Sequence, residues 1–189
     1  HRTDEWGGPF ENRIRFAVEI VRRTREKVGP NFIIIFRLSM LDLVEDGSTW
    51  EEVVQLAKAI EAAALKTVKM PSNGQFIGDW KAGESLAQNG RGMTWTDASA
   101  ATSANGGNCY NCHQISKAEI SFGTIGPSLY NYGKLRGVAD LAAPAAQAVI
   151  EYTWMKIYNG KTFNACSNMP RFGHAGLLDQ KQMSNLMSL

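Results

Sequence analysis

The run Phe32-Ile33-Ile34-Ile35-Phe36, closing on Arg37-Leu38, constrains the fold more than any other stretch of the chain. Unbroken β-branched and aromatic residues suit a strand buried on both faces, as in parallel sheets covered by helices. Such a strand needs parallel neighbours for its backbone donors and acceptors. Residues 64–189 offer no second run of this kind, only short helical patterns separated by Gly, Asn, Ser and Pro. Before the strand, Phe10, Ile14, Ala17, Val18, Val21 and Val28 recur at helical spacing, and Gly29-Pro30 ends the pattern. After it, Ser48-Thr49-Trp50-Glu51 is a capping-box sequence opening a helix with Val53, Leu56, Ala57 and Ile60 on its apolar face. Residues 1–63 therefore read helix, strand, helix, a piece of a larger α/β protein.

Charge supports a break near residue 63. Residues 1–63 carry 9 basic and 11 acidic groups, and residues 64–189 carry 11 and 7. Arginine dominates the first part, lysine the second, and all three cysteines lie in the second. The sequence predicts a fragment over 1–63, a junction over 64–78 and a domain over 79–189. A net charge of +2 over 189 residues, with no basic run, gives no nucleic-acid signature. No stretch approaches the roughly 18 apolar residues of a membrane span, so neither a nucleic-acid nor a membrane partner is expected. Three cysteines make no closed disulfide framework. Residue 1 is His and no leader pattern follows, which reads as a processed chain or a fragment.

His1-Arg2-Thr3-Asp4-Glu5-Trp6-Gly7-Gly8, Glu11-Asn12-Arg13 and Phe36-Arg37-Leu38-Ser39 resemble the middle of a flavin-dependent (β/α)8 barrel of the old yellow enzyme and 2,4-dienoyl-CoA reductase family. The resemblance implies that Arg37 stands at a strand end against a flavin ring, in keeping with barrel active sites at the C-terminal ends of strands. A complete barrel takes about 250 residues, and its remaining strands and phosphate-binding loops have no counterpart here.

Cys109-Tyr110-Asn111-Cys112-His113 has the C-x-x-C-H spacing of a c-type haem attachment site, with two thiols for the vinyl groups and an imidazole for the iron. The alternatives are a redox dithiol, a zinc site drawing on Cys109, Cys112, His113 and Cys166, and a chance occurrence. Met169, in Ser167-Asn168-Met169-Pro170-Arg171-Phe172-Gly173, is the candidate distal ligand, with His174 as its competitor. Pro127, in Gly126-Pro127-Ser128-Leu129, is the candidate acceptor for the second imidazole N–H. Helices capped by Asp79, opened by Pro144 and capped by Asp179 fit a small haem-wrapping domain. No triad, acid–base pair or phosphate loop appears in 64–189, so no catalytic residue is assigned there.

Gly106 to His113, Gly123 to Leu129, Tyr132-Gly133-Lys134 and Ala165 to His174 resemble the monohaem subunit of the sulfur-oxidising SoxAX cytochromes. The fold expected is mainly α, a class I cytochrome c fold preceded by an incomplete αβα fragment of a (β/α)8 barrel. The resemblance implies one covalent haem c on Cys109 and Cys112, with His113 and Met169 as axial metal ligands. It implies a periplasmic electron acceptor in thiosulfate oxidation, paired with a SoxA-like haem protein as an L-cysteine S-thiosulfotransferase and acting through a sulfur-carrier protein. Cys166 has no assigned role. The alternatives are a flavin-dependent enoyl reductase fragment and a generic monohaem electron-transfer cytochrome c.

Overall fold

The computed structural model describes residues 2–29, 34, 45, 47–91 and 105–189. The predicted strand, Arg37 included, lies outside them except for Ile34. The described residues form helices, tight turns and irregular chain, with no β-strand among them. They divide into two compact units, His1–Ala59 and Ile60–Leu189.

The first unit holds α1 (Phe10–Val28) and most of α2 (Trp50–Leu65). Helix α1 ends where Gly29, at φ 76°, donates its N–H to the Arg25 carbonyl, a left-handed position that favours glycine. Its polar face carries Glu19, Arg22, Arg23 and Glu26 as a row of ion pairs. Despite this amphipathic sequence α1 buries no residue, and Phe16 is 62% exposed. The capping box of α2 sits one residue beyond the expected register. The Thr49 hydroxyl accepts from the Glu52 N–H at 3.3 Å, and the Glu52 carboxylate accepts from the Thr49 N–H at 3.0 Å. Glu52 also pairs with Arg13, which ties α2 to α1.

The second unit is built on α3 (Trp80–Gln88), α4 (Tyr132–Leu135), α5 (Pro144–Tyr158) and α6 (Gln180–Leu186). The starts follow from local chemistry. Asp79 accepts from the N–H groups of Lys81 and Ala82, Pro144 occupies the first turn of α5, and Asp179 forms a capping box with Gln182. Trp154 and Tyr158 of α5 meet Phe172, Leu178 and Met183 in the core. Burying the Trp154 indole would strand its N–H, and the Lys69 carbonyl accepts it at 2.9 Å. Phe76 packs edge-on to the same ring, with centroids 5.6 Å apart.

Helix α3 lies against α6 closely enough that a Cβ on Gly83 would run into the Asn185 carbonyl. Asn185 in turn accepts from the Asp79 N–H at 2.9 Å. Gly83→Ala must push the two backbones apart, an overpacking cost of about 1–3 kcal/mol. A fall of several degrees in the thermal midpoint is expected; an unchanged midpoint would show that α3 and α6 have room to spare.

Candidate functional site

The Cys109–His113 turn is suspended from the end of α3. Gly106, Gly107 and Asn108 donate N–H groups to the carbonyls of Arg91, Leu86 and Asn89 at 2.9, 2.7 and 3.0 Å. Asn108 is left-handed at φ 49°, reversing the chain into a single 3-10 turn over Cys109–Asn111. The N–H groups of Cys112 and His113 both donate to the Cys109 carbonyl, at 3.1 and 2.9 Å. A second segment runs alongside, since Gly123, Gly126 and Leu129 donate to the carbonyls of Tyr110, Cys112 and Gln114 at 2.7, 2.8 and 2.7 Å.

These two segments fix the imidazole. His113 Nδ1 lies 2.6 Å from the Pro127 carbonyl oxygen, which can only accept, so Nδ1 carries the hydrogen and Nε2 of the neutral ring keeps its lone pair. Gly126 lies flat against the ring, where any Cβ would collide with it. The Ser128 hydroxyl donates to Gln114 Oε1 at 3.0 Å and fastens the far end of the pair. The sequence singles out the Gly126–Leu129 segment, but nothing in it points to Gln114, the partner of the Ser128 hydroxyl.

Cys109, Cys112 and His113 thus share one turn, and Pro127 meets it from the adjoining segment. Cys109 Sγ would sit 2.9 Å from a Cβ on Gly107, and burial pushes its thiol up to about 12, with nearby Cys112 acting in the same direction. Met169 does not share the turn's hydrogen bonds. It packs, partly buried, on the Trp154 core, so core filling explains it better than the sequence suggested. Exposed Cys166 takes part in a separate turn, its N–H donating to Asn164 Oδ1 at 3.0 Å. Exposed His174 donates its backbone N–H to the Tyr158 carbonyl at 3.0 Å. Among the described residues no three His, Cys, Asp or Glu side chains converge on a metal position, which removes the four-ligand zinc alternative.

In the first unit, Trp6 and Phe16 pack edge to face with centroids 6.2 Å apart, beside a cavity of about 330 Å³ lined by Arg2, Trp6, Phe16, Glu19, Ile20 and Arg23. Arg2 is held by Asp4 at 3.0 Å and Arg23 by Glu19 at 2.7 Å.

A sequence profile of the NADH:flavin oxidoreductase / NADH oxidase family matches residues 1–120, and the chain belongs to that family. It is 48% identical over 64 residues to the NADH oxidase of Thermoanaerobacter brockii, covering 34% of this chain and 10% of that protein. It is 36% identical over 64 residues to the multifunctional alkene reductase/demethylase OYE of Caballeronia cordobensis, covering 34% of this chain and 9% of the relative. An uncharacterized lipoprotein of Aquifex aeolicus (strain VF5) is 34% identical over 141 residues, covering 72% of this chain and 59% of that protein. The chain spans under two thirds of each relative's length.

The family match supports the old yellow enzyme resemblance of the N-terminal residues and corrects the functional expectation. The expected SoxX-like cytochrome accepting electrons in thiosulfate oxidation is overturned, because the profile of the NADH:flavin oxidoreductase / NADH oxidase family runs through Cys109–His113 and relatives are named as an NADH oxidase, an alkene reductase and a cinnamate reductase. The expected covalent haem c is overturned on the same ground, since the family the chain matches is described by flavin and not by haem. The physical reason is the shortness of C-x-x-C-H, whose residues here also serve a hydrogen-bonded turn that stands on its own backbone contacts. The described residues do not fit a flavin either. The guanidiniums facing the first unit's cavity are already paired with carboxylates, and Arg37 lies outside the description.

The thiols differ enough to be told apart. With an ordinary value of 9.0 and about 12 in the fold, Cys109 stays protonated in the folded chain where the unfolded chain releases the proton. Its contribution is therefore intact below that window, and stability falls as pH rises from 9 towards 12. Alkylation at pH 8 is expected to modify exposed Cys166 quickly and Cys109 last; equal rates for the two would contradict the burial of Cys109.

Proposed function

We propose that the chain carries one helix–strand–helix sector of an NADH-linked flavin oxidoreductase whose substrates are alkenes conjugated to an electron-withdrawing group. The observation that carries this reading is the 48% identity over 64 residues to an NADH oxidase, within a family match over residues 1–120. Relatives named as an alkene reductase and a cinnamate reductase support the substrate class. The net reaction moves a hydride from NADH and a proton from solvent onto the two carbons of the double bond, leaving NAD+ and the saturated product. Arg37, which the family resemblance sets against the flavin, is the residue of this sector expected to serve the site.

Transplanting the matched 64 residues into the Thermoanaerobacter brockii NADH oxidase tests the reading. The folded chimera should keep NADH oxidation within about tenfold of the parent, the cost of about 1.4 kcal/mol in the barrier. Arg37→Ala in that chimera should then lower the rate by at least about tenfold, as expected when a charge-assisted hydrogen bond is lost. A chimera folded by circular dichroism and gel filtration but inactive would refute the sector assignment.

The Nδ1 hydrogen bond of His113 favours a second role, for the Ile60–Leu189 unit. We infer that His113 Nε2 is a ligand to a transition-metal ion, with Pro127 fixing the ring and Met169 as the candidate second ligand. A backbone acceptor on the far nitrogen is how metal-binding imidazoles are oriented and made more basic. Elemental analysis of the native protein should find one transition metal per chain, lost in His113→Ala and weakened in Met169→Ala. Metal-free native protein would refute the assignment.

A further inference from the structure

The thiols of Cys109 and Cys112 have no task in either reading above. The Cys112 N–H donates to the Cys109 carbonyl at 3.1 Å and closes a single 3-10 turn between them. Three residues at the 3-10 rise of about 2.0 Å set the two Cα atoms roughly 6 Å apart, and side chains three positions apart on such a turn eclipse one another. A disulfide spans Cα separations of about 4.4–6.8 Å. The two thiols are also near enough to influence one another electrostatically. Both are free, and Cys166, the third, stands on a different turn.

The turn is held in place by bonds that use neither thiol. The N–H groups of residues 106–108 fasten it from one side, and those of Gly123 and Gly126, donating to the carbonyls of Tyr110 and Cys112, fasten it from the other. Gly107 keeps the space beside Cys109 Sγ open, where a Cβ would come within 2.9 Å. A bridge across so few residues takes only a modest entropy from the unfolded chain, so it can open and close without the fold depending on it. Asn111, between the cysteines, is exposed and Cys112 is half-buried, which leaves that side of the pair open to a co-reactant.

We propose that Cys109 and Cys112 form a reversible dithiol/disulfide couple whose co-reactant is a disulfide. Cys112 gives its proton to solvent, and its sulfur attacks one sulfur of the co-reactant RSSR. That S–S bond breaks, and the departing RS− takes up a proton as RSH. Cys109, deprotonated by solvent in turn, attacks the Cys112 sulfur of the mixed disulfide, forming the Cys109–Cys112 bond and releasing the second RSH. The two cysteines are oxidised and the co-reactant is reduced by the same two electrons. The couple uses neither the flavin nor His113 Nε2, so its test stands apart from both readings above.

Equilibrating the full chain with reduced and oxidised glutathione, followed by acid quenching, alkylation and tryptic mapping, tests the pair. Cleavage after Arg91 and Lys117 keeps both cysteines on one peptide, and cleavage after Lys161 and Arg171 puts Cys166 on another. In excess oxidised glutathione the first peptide should lose both alkylations and the mass of two hydrogens, with no glutathione attached, and dithiothreitol should restore both thiols. Cys166, without a neighbour, should carry a glutathione adduct. The equilibrium constant for closing the pair should be higher in native buffer than in concentrated urea, by about tenfold, because the folded turn sets the two sulfurs together. A glutathione adduct persisting on either cysteine of the pair, thiols that stay alkylatable throughout, a peptide that dithiothreitol does not return to two thiols, or a constant no higher than in urea would overturn the proposal.

Discussion

The close approach of α3 to α6 is the contact on which the second unit depends. Gly83 has no side chain to hold the helices apart, so the Asn185 backbone lies directly over it and the Asn185 amide oxygen reaches back to the Asp79 N–H. With its start fixed in this way, α3 and the residues just after it deliver the carbonyls of Leu86, Asn89 and Arg91 to residues 106–108. The turn bearing Cys109, Cys112 and His113 inherits its position from that ladder. Orientation of the imidazole comes last, from the Pro127 carbonyl and the bare backbone of Gly126.

The first unit is organised differently. Its described contacts are dominated by ion pairs along α1 and between α1 and α2, while α1 buries none of its apolar residues. Exposed ion pairs of this sort contribute little stability each, about 0–1 kcal/mol. Two relatives that the chain matches over 64 residues are proteins of which that stretch covers about a tenth. A helix with an apolar face and no buried residue is what a sector of a larger layered fold looks like by itself.

Local chemistry made the helices legible in the sequence. Asp79, Asp179 and Pro144 each start a helix for reasons contained within four residues, and α1 runs over Phe10–Val28 as its spacing predicts. The box opening α2 was misplaced by one residue because Ser48-x-x-Glu51 and Thr49-x-x-Glu52 are equally good patterns; Thr49 and Glu52 make the hydrogen bonds. Contacts over long sequence separations were not legible. Nothing near Gly83 announces Asn185, and nothing near Trp154 announces the Lys69 carbonyl. The polar loop around Met169 likewise gave no sign that its side chain packs, partly buried, on the Trp154 core. The functional correction has a related cause. Short motifs scattered between Gly106 and His174 pointed to a cytochrome, whereas the match that fixes the family is spread over residues 1–120.

The oriented imidazole is the feature in which packing and local chemistry meet, and nitrogen-15 NMR of His113 in the intact chain at pH 8 addresses it most directly. The two-bond proton–nitrogen correlation pattern should be that of a neutral ring protonated at Nδ1, held by Pro127, with Nε2 unprotonated. An Nε2–H pattern, or signals averaged between the tautomers, would contradict the arrangement from α3 outward.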